Sequence, residues 1–252
     1  MDRNLQRIDN KNSYVIFVRK NDLNIVDKVI TNKNWEIKIT DSGWHSFNEQ
    51  YYFLKQLNKE NLDLVHFPYF SAPILYKKPY VVTIHDLIIS HYPTGKASTK
   101  LAPLYYSKLL GYNLVIKTIS KKAKKIITPS LATKNEVIDH LKISGNKIAV
   151  TKEAANLAKS HKPQAVSQKY GKYFLYVGNA YPHKNLERLI EAVILVKANL
   201  KIVSARNVFR ERLEKIIRSK NTKHLVEVLD YVSDQELKSI YKNSIAFIFP
   251  TL

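Results

Sequence analysis

FLYVGNAYPHKNLERLIEA, residues 174–192, runs from an apolar stretch ending at Gly178, through a short polar loop carrying His183 and Lys184, into a helical pattern. A strand with so little polar character is covered on both faces, and the helix after it must fold back to supply one of the covers. The unit predicted is strand, crossover helix, strand, in a parallel sheet. In such sheets ligands bind beyond the carboxyl ends of the strands, where helix N-termini present free amides and partial positive charge. Gly178 lets backbone approach a ligand closely and Lys184 adds a full charge beside the helix start, which suits a diphosphate. The same residues also make an ordinary strand-to-helix turn with Asn185 as N-cap. Neither a G-x-G-x-x-G nor a P-loop spacing is present. Local physics leaves both readings open, with the plain turn the simpler.

The alternation extends in both directions. Towards the N-terminus, YVIFV (14–18), WEIKI (35–39), LDLVHF (62–67), YVVTIH (80–85), KKIITPS (124–130) and KIAVTK (147–152) read as strands. Between them FNEQYYFLKQLN (47–58), a long segment from about Lys100 to Ala123, and ATKNEVIDHLKI (132–143) keep helical spacing. The pattern loosens over 154–170, which is polar, holds a proline and reads as a linker. It resumes with YFLYVG (173–178), a helix from Asn185 to about Ala198, KIVSA (201–205), a charged helix near 207–219, HLVEVLDYV (224–232), a helix from Ser233 and IAFIFP (245–250). Ser233 followed by Glu236 is a capping box. The expected architecture is α/β with two Rossmann-like parallel-sheet domains, 1–153 and 171–252, and a ligand cleft between them.

Composition narrows the class. The 252 residues are 45% hydrophobic and 25% charged, enough for a packed core. No apolar run approaches the length of a membrane span, and MDRNLQRIDNKNSYV lacks the apolar centre of a signal peptide. With no cysteine there is no disulfide framework, and a cytoplasmic setting is the simplest expectation. Lys and Arg number 41 against 21 Asp and Glu, a net charge of +20 that favours anionic partners. Spread-out lysines with solvated faces account for most of it. Lys121, Lys122, Lys124 and Lys125 form the one dense cluster; for the overall charge, anionic membrane contact is a secondary expectation and nucleic acid a minor one.

Other chemistry is sparse. His85 and Asp86 fall at the end of an apolar strand, where a histidine can hydrogen-bond a substrate hydroxyl or cap a loop; an isolated His–Asp pair favours the loop. Ser130 is a simple N-cap. The eight histidines are scattered and no carboxylate cluster has ligand spacing, so no metal is expected. Nothing resembles a nucleophile elbow. The 16 tyrosines could stack on a sugar or base, although packing between sheet and helix is their commoner use.

Four stretches in order, LDLVHFPYFSAPILYKKPYVVTIHDLI, KAKKIITPSLATKNEVIDHLKISGNKIAVTKEAAN, FLYVGNAYPHKNLERLIEA and YVSDQELKSIYKNSIAFIFPTL, resemble the group 1 glycosyltransferases of family 4 from about Asn12 onwards. These are retaining enzymes of GT-B fold that use nucleotide-sugar donors. The resemblance implies transfer of a hexose from a nucleotide diphosphate sugar to a glycan or lipid-linked acceptor, without an essential metal or other cofactor. It places Lys184 and Gly178 against the donor diphosphate, His85 close to the transferred sugar, and Val232 and Ser233 near the donor base. Asn179 stands where many members have arginine, removing one positive contact. The family's first strand with its glycine-rich loop, and the Glu-x7-Glu segment that holds donor sugar and ribose, have no match here. The sequence therefore reads as truncated at both ends, with both domains incomplete, and an inactive chain that at most binds nucleotide or polyanions is the alternative expectation.

Overall fold

A computed structural model describes residues 2–43, 46–91, 102–154, 173–230 and 232–251. The chain divides into two compact units, Met1–Leu87 with Lys108–Glu153, and Ile88–Ser107 with Ala154–Leu252. The expected linker, 154–170, lies outside the described residues apart from its first. No helix among the described residues is long and apolar enough to cross a membrane.

In chain order the first part comprises α1 (Asp2–Ile8), β1 (Tyr14–Val18), α2 (Leu23–Asp27), β2 (Trp35–Ile39) and a π-helical turn (Glu49–Phe53) running into α3 (Leu54–Lys59). Then come β3 (Val65–Phe67), β4 (Tyr80–Thr83), α4 (Ile88–His91), α5 (Ala102–Lys122), β5 (Lys125–Thr128), α6 (Leu131–Leu141) and β6 (Ile148–Val150). The remainder is β7 (Tyr173–Val177), α7 (Leu186–Leu195), β8 (Asn199–Val203), α8 (Val208–Ser219), β9 (Val226–Leu229), α9 (Asp234–Lys242) and β10 (Ala246–Phe247).

Every strand pair is parallel, as the apolar runs required. In the first unit β3-β4-β5-β6 form one sheet, while among the described residues β1 and β2 pair only with each other, from Tyr14 opposite Trp35 to Val18 opposite Ile39. Val82 and Ile126 of the four-stranded sheet, and Ile84 just past β4, are fully buried with Ile116 and Ile119 of α5 and Val137 of α6. Side chains of that size contribute about 1.5–3 kcal/mol each when fully buried. Ser130 caps α6 as expected, its hydroxyl accepting from the Thr133 amide at 3.1 Å.

The second unit carries the sheet β10-β7-β8-β9. Leu186, Leu189, Ile190 and Val193 put the i, i+3, i+4, i+7 face of α7 onto Leu200 and Ile202 of β8. Asn207 caps α8, accepting from the amides of Phe209 and Arg210 at 3.0 Å each. Of the capping box at α9 one half forms: Ser233 Oγ accepts from the Glu236 amide at 3.2 Å, and no return bond from Glu236 is seen among the described residues.

Most strands are shorter than the apolar runs that announced them. YVVTIH leaves its strand after Thr83, and IAFIFP keeps only Ala246–Phe247 as strand. Helix α7 stops at Leu195 because Lys197 takes a left-handed φ of 50° and the Ala198 amide closes back on Val193 O at 2.9 Å. Chain order also explains where a ligand belongs in this unit. From β7 the sheet grows to β8 and β9 on one side, and β10 is then added on the other. The carboxyl ends of β7 and β10 therefore flank a topological switch point, where the crossover helices diverge and leave a crevice.

Candidate functional site

At that crevice the β7–α7 connection is tightly specified. Gly178 has φ +151°, and its amide donates to Val203 O at 3.0 Å. A Cβ added there would lie 2.9 Å from the Tyr176 hydroxyl oxygen. The Tyr176 side chain is fully buried, and its hydroxyl donates to Asn179 O at 2.7 Å. Burial pushes this phenol up to about 12, so it acts only as a neutral hydrogen-bonding group. Asn179 is exposed, with its backbone oxygen spent on Tyr176.

The chain then makes a 3-10 turn, Pro182–Lys184, and reaches α7 through Asn185 at φ 57°. Asn185 occupies the N-cap position expected of it, yet its side chain makes no capping bond. The left-handed backbone turns the side chain away from the helix start, so the first amides of α7 are not closed by it. Lys184 is half-buried, with Nζ 4.6 Å from the centre of the Phe249 ring. Thr251 Oγ1 donates to His183 O at 3.3 Å, and Phe249 stacks on Tyr176 at 5.8 Å. The ends of β7 and β10 are thus tied together around the lysine.

Two residues that the sequence reading did not single out stand at the neighbouring strand ends. Arg206 donates from Nε and Nη2 to Asp230 at 2.9 and 2.6 Å. This pairing, with Arg210 also against Asp230, lowers the carboxyl to about 2. Buried Arg210 further donates to Ser204 O at 2.8 Å and Leu229 O at 3.2 Å, tying the loop ends together. Val232 and Ser233 lie beyond β9, with the Ser233 hydroxyl occupied by the start of α9. No described contact joins them to the Gly178–Lys184 turn. A groove lined by Tyr173, Asn199, Lys201 and Lys223 opens at the opposite, amino-terminal ends of these strands, away from the turn.

His85 occupies the corresponding rim of the first unit. Its Nδ1 lies 2.9 Å from Glu153 Oε1 and its Nε2 lies 3.0 Å from Pro68 O. Thr133 Oγ1, in the first turn of α6, donates to the His85 backbone oxygen at 3.3 Å, and the Tyr69 ring stacks 6.4 Å away. Pro68, His85 and Glu153 follow β3, β4 and β6, so three strand ends converge on one imidazole. The Tyr69 phenol is pushed up to about 12, chiefly by burial and secondarily by Asp86. Nearby in the sequence, buried Glu49 accepts from Ser71 Oγ at 2.5 Å at the start of the π-helical turn. Glu153 was legible only through its place just past a strand end, the rule that drew attention to His85.

Residues 9–159 match the family described as Glycosyltransferase Family 4, and residues 158–252 match Glycosyl transferases group 1. The O-antigen chain mannosyltransferase RfbU of Salmonella typhimurium is 23% identical over 230 residues. That match covers 90% of this chain and 60% of the relative's length. Among solved structures, Anabaena HepE in complex with UDP and glucose superposes with a TM-score of 0.63 at 10% identity, over 97% of this chain and 68% of that one. UDP-N-acetylglucosamine 2-epimerase from Rickettsia bellii gives 0.52 at 12% identity, over 94% and 66%. The likeness is one of fold, and an epimerase among the neighbours means that the fold alone does not fix the reaction. The sequence matches do fix the family: the chain belongs to the family 4, group 1 glycosyltransferases and has their α/β fold of GT-B type.

Proposed function

We propose that the chain transfers a hexose from a nucleotide diphosphate sugar to a glycan or lipid-linked acceptor, with retention at the anomeric carbon. The observation that carries this reading is Lys184 at the switch point of the second sheet, beside a helix start whose N-cap side chain makes no capping bond and behind a glycine held at φ +151°. A diphosphate at that turn would meet the partial positive charge of α7 and the full charge of Lys184. In the transfer the bond from C1 to the diphosphate oxygen breaks, the acceptor oxygen bonds to C1 on the same face, and the acceptor proton is released. Negative charge grows on the leaving diphosphate, where Lys184 and the α7 amides offset it. No metal or other cofactor enters this scheme. His85 is the proposed hydrogen-bond partner of the transferred sugar, with Val232 and Ser233 towards the base. The mannosyltransferase relative and the UDP and glucose of the Anabaena complex make mannosyl and glucosyl donors the first to test.

For a lipid-linked acceptor, the exposed Lys121, Lys122, Lys124 and Lys125 would meet anionic headgroups at the cytoplasmic membrane face. The deciding experiment combines calorimetric titration with UDP, GDP and their sugars and a transfer assay on the wild type and Lys184→Ala. The variant is expected to keep its fold and to lose about 100-fold or more in turnover. Turnover near the wild-type level in Lys184→Ala would remove the lysine from this role. Nucleotide binding without transfer by the wild type would favour a binding-only chain.

A further inference from the structure

Both ring nitrogens of His85 face acceptors: a carboxylate oxygen at 2.9 Å from Nδ1 and a backbone carbonyl oxygen at 3.0 Å from Nε2. A neutral imidazole has one N–H and can satisfy only one of them. Hydrogen bonds to an ionised acceptor are about twice as strong as those between neutral groups. The single proton therefore belongs on Nδ1, against Glu153. Nε2 then presents a lone pair to the lone pairs of Pro68 O, and that contact becomes a hydrogen bond only when the ring carries a second proton. One side of the ring is thus anchored and the other is held by a partner that the neutral ring does not need.

We infer that Glu153 is a positioning residue, which holds the Nδ1–H of His85 and thereby assigns Nε2 to the ligand. A sugar hydroxyl can donate to Nε2 of the neutral ring, or a ligand oxygen can accept from the protonated ring. Either takes the place of the Pro68 carbonyl without disturbing the Glu153 bond. The rest of the geometry supports an anchored ring. The strand-like bond from the Thr151 amide to Thr128 O, at 2.9 Å, fixes the backbone leading to Glu153. Tyr69 covers the imidazole face, and Thr133 holds the His85 carbonyl. Glu153 is 68% and His85 41% exposed at the side chain, so the pair adds little to stability and orientation is its main effect. The same exposure leaves variants at either position able to fold.

That the ligand oxygen belongs to a sugar rests on the function proposed above; the tautomer assignment does not. The test labels the histidines of the full chain with nitrogen-15 and reads the ring protons through long-range proton–nitrogen correlations. The His85 signals are identified by their loss in His85→Asn. In the wild type the neutral ring should carry its proton on Nδ1. Glu153→Ala should move it to Nε2 at the same pH, and Glu153→Gln, whose amide oxygen can still accept, should keep it on Nδ1. An Nε2–H ring in the wild type, or a His85 spectrum unchanged in Glu153→Ala, overturns the inference. In the transfer assay Glu153→Ala should lower kcat about 10- to 100-fold with the donor KM little changed, the cost of a misoriented group. A wild-type kcat in Glu153→Ala overturns the positioning role. A tautomer change in a chain that transfers no sugar supports the Glu153–His85 pairing and refutes the proposed function instead.

Discussion

Replacing Gly178 with alanine perturbs the β7–α7 turn in two ways at once. At φ +151° an L side chain is strained whatever the surroundings, at about 1–3 kcal/mol for a sparsely populated backbone region. The new methyl would also lie 2.9 Å from the Tyr176 hydroxyl oxygen, and that ring is fully buried and has nowhere to retreat. The contact is relieved by moving the loop, which breaks the bond from Tyr176 to Asn179 O at about 1 kcal/mol. The sum is about 2–4 kcal/mol. For a chain of this length each kcal/mol moves Tm by about 2–4 °C, so a fall of about 4–16 °C is expected in a thermal melt of the full chain. The origin is separable with a second substitution. Tyr176→Phe alone should cost about 1 kcal/mol, and Gly178→Ala with Tyr176→Phe should be less destabilised than the sum, by about 1 kcal/mol or more. Strict additivity in this cycle would refute the steric argument, and a Tm unchanged in Gly178→Ala would refute the backbone argument as well.

Two smaller perturbations probe the surroundings of that turn. Asn185 sits at φ 57°, so Asn185→Gly should leave stability unchanged or slightly raised while Asn185→Ala lowers it by about 1 kcal/mol, read from denaturant midpoints. Asp230 is lowered to about 2 from 3.8, so the folded chain binds fewer protons there than the unfolded one between those values. Its stabilisation is whole above pH 3.8 and is lost as the pH falls towards 2. Asp230→Asn should accordingly flatten the acid limb of the stability curve over that window.

The parallel α/β order was legible because apolar strands and amphipathic helices leave distinct periods, and α7 is a clear case. Strand ends were not, since an apolar residue past the last ladder bond looks in sequence like one inside it. Ile84 is fully buried yet lies beyond β4. The short α1 and α2 offered too few turns for a periodic signal. Gly178 and Lys184 stood out locally. The partners of His85 could not, because Pro68 is 17 residues away and Glu153 is 68, and only the folded sheet brings them to one ring. The backbone of Asn185 was also hidden, as asparagine serves both an extended N-cap and a left-handed one.

The separation of β1 and β2 from the other strands of their unit has a bearing on how the chain opens. Two parallel strands are too few to persist unaided in water. While Phe17 also packs against the core of the four-stranded sheet, three described contacts tie this ribbon to one helical stretch: Lys38 binds Glu60 at 2.6 Å, Gln56 donates to Ile39 O at 2.9 Å, and Phe17 meets Phe53 edge-on at 5.4 Å. Each is a side-chain tether to residues 53–60, and none is a rung of a β ladder. Undocking of α3 therefore removes all three tethers at once, so local opening of the helix and of the ribbon is coupled. The four-stranded sheet shares that event in part, because Leu57 of α3 is buried in the same interior as its isoleucines and valines.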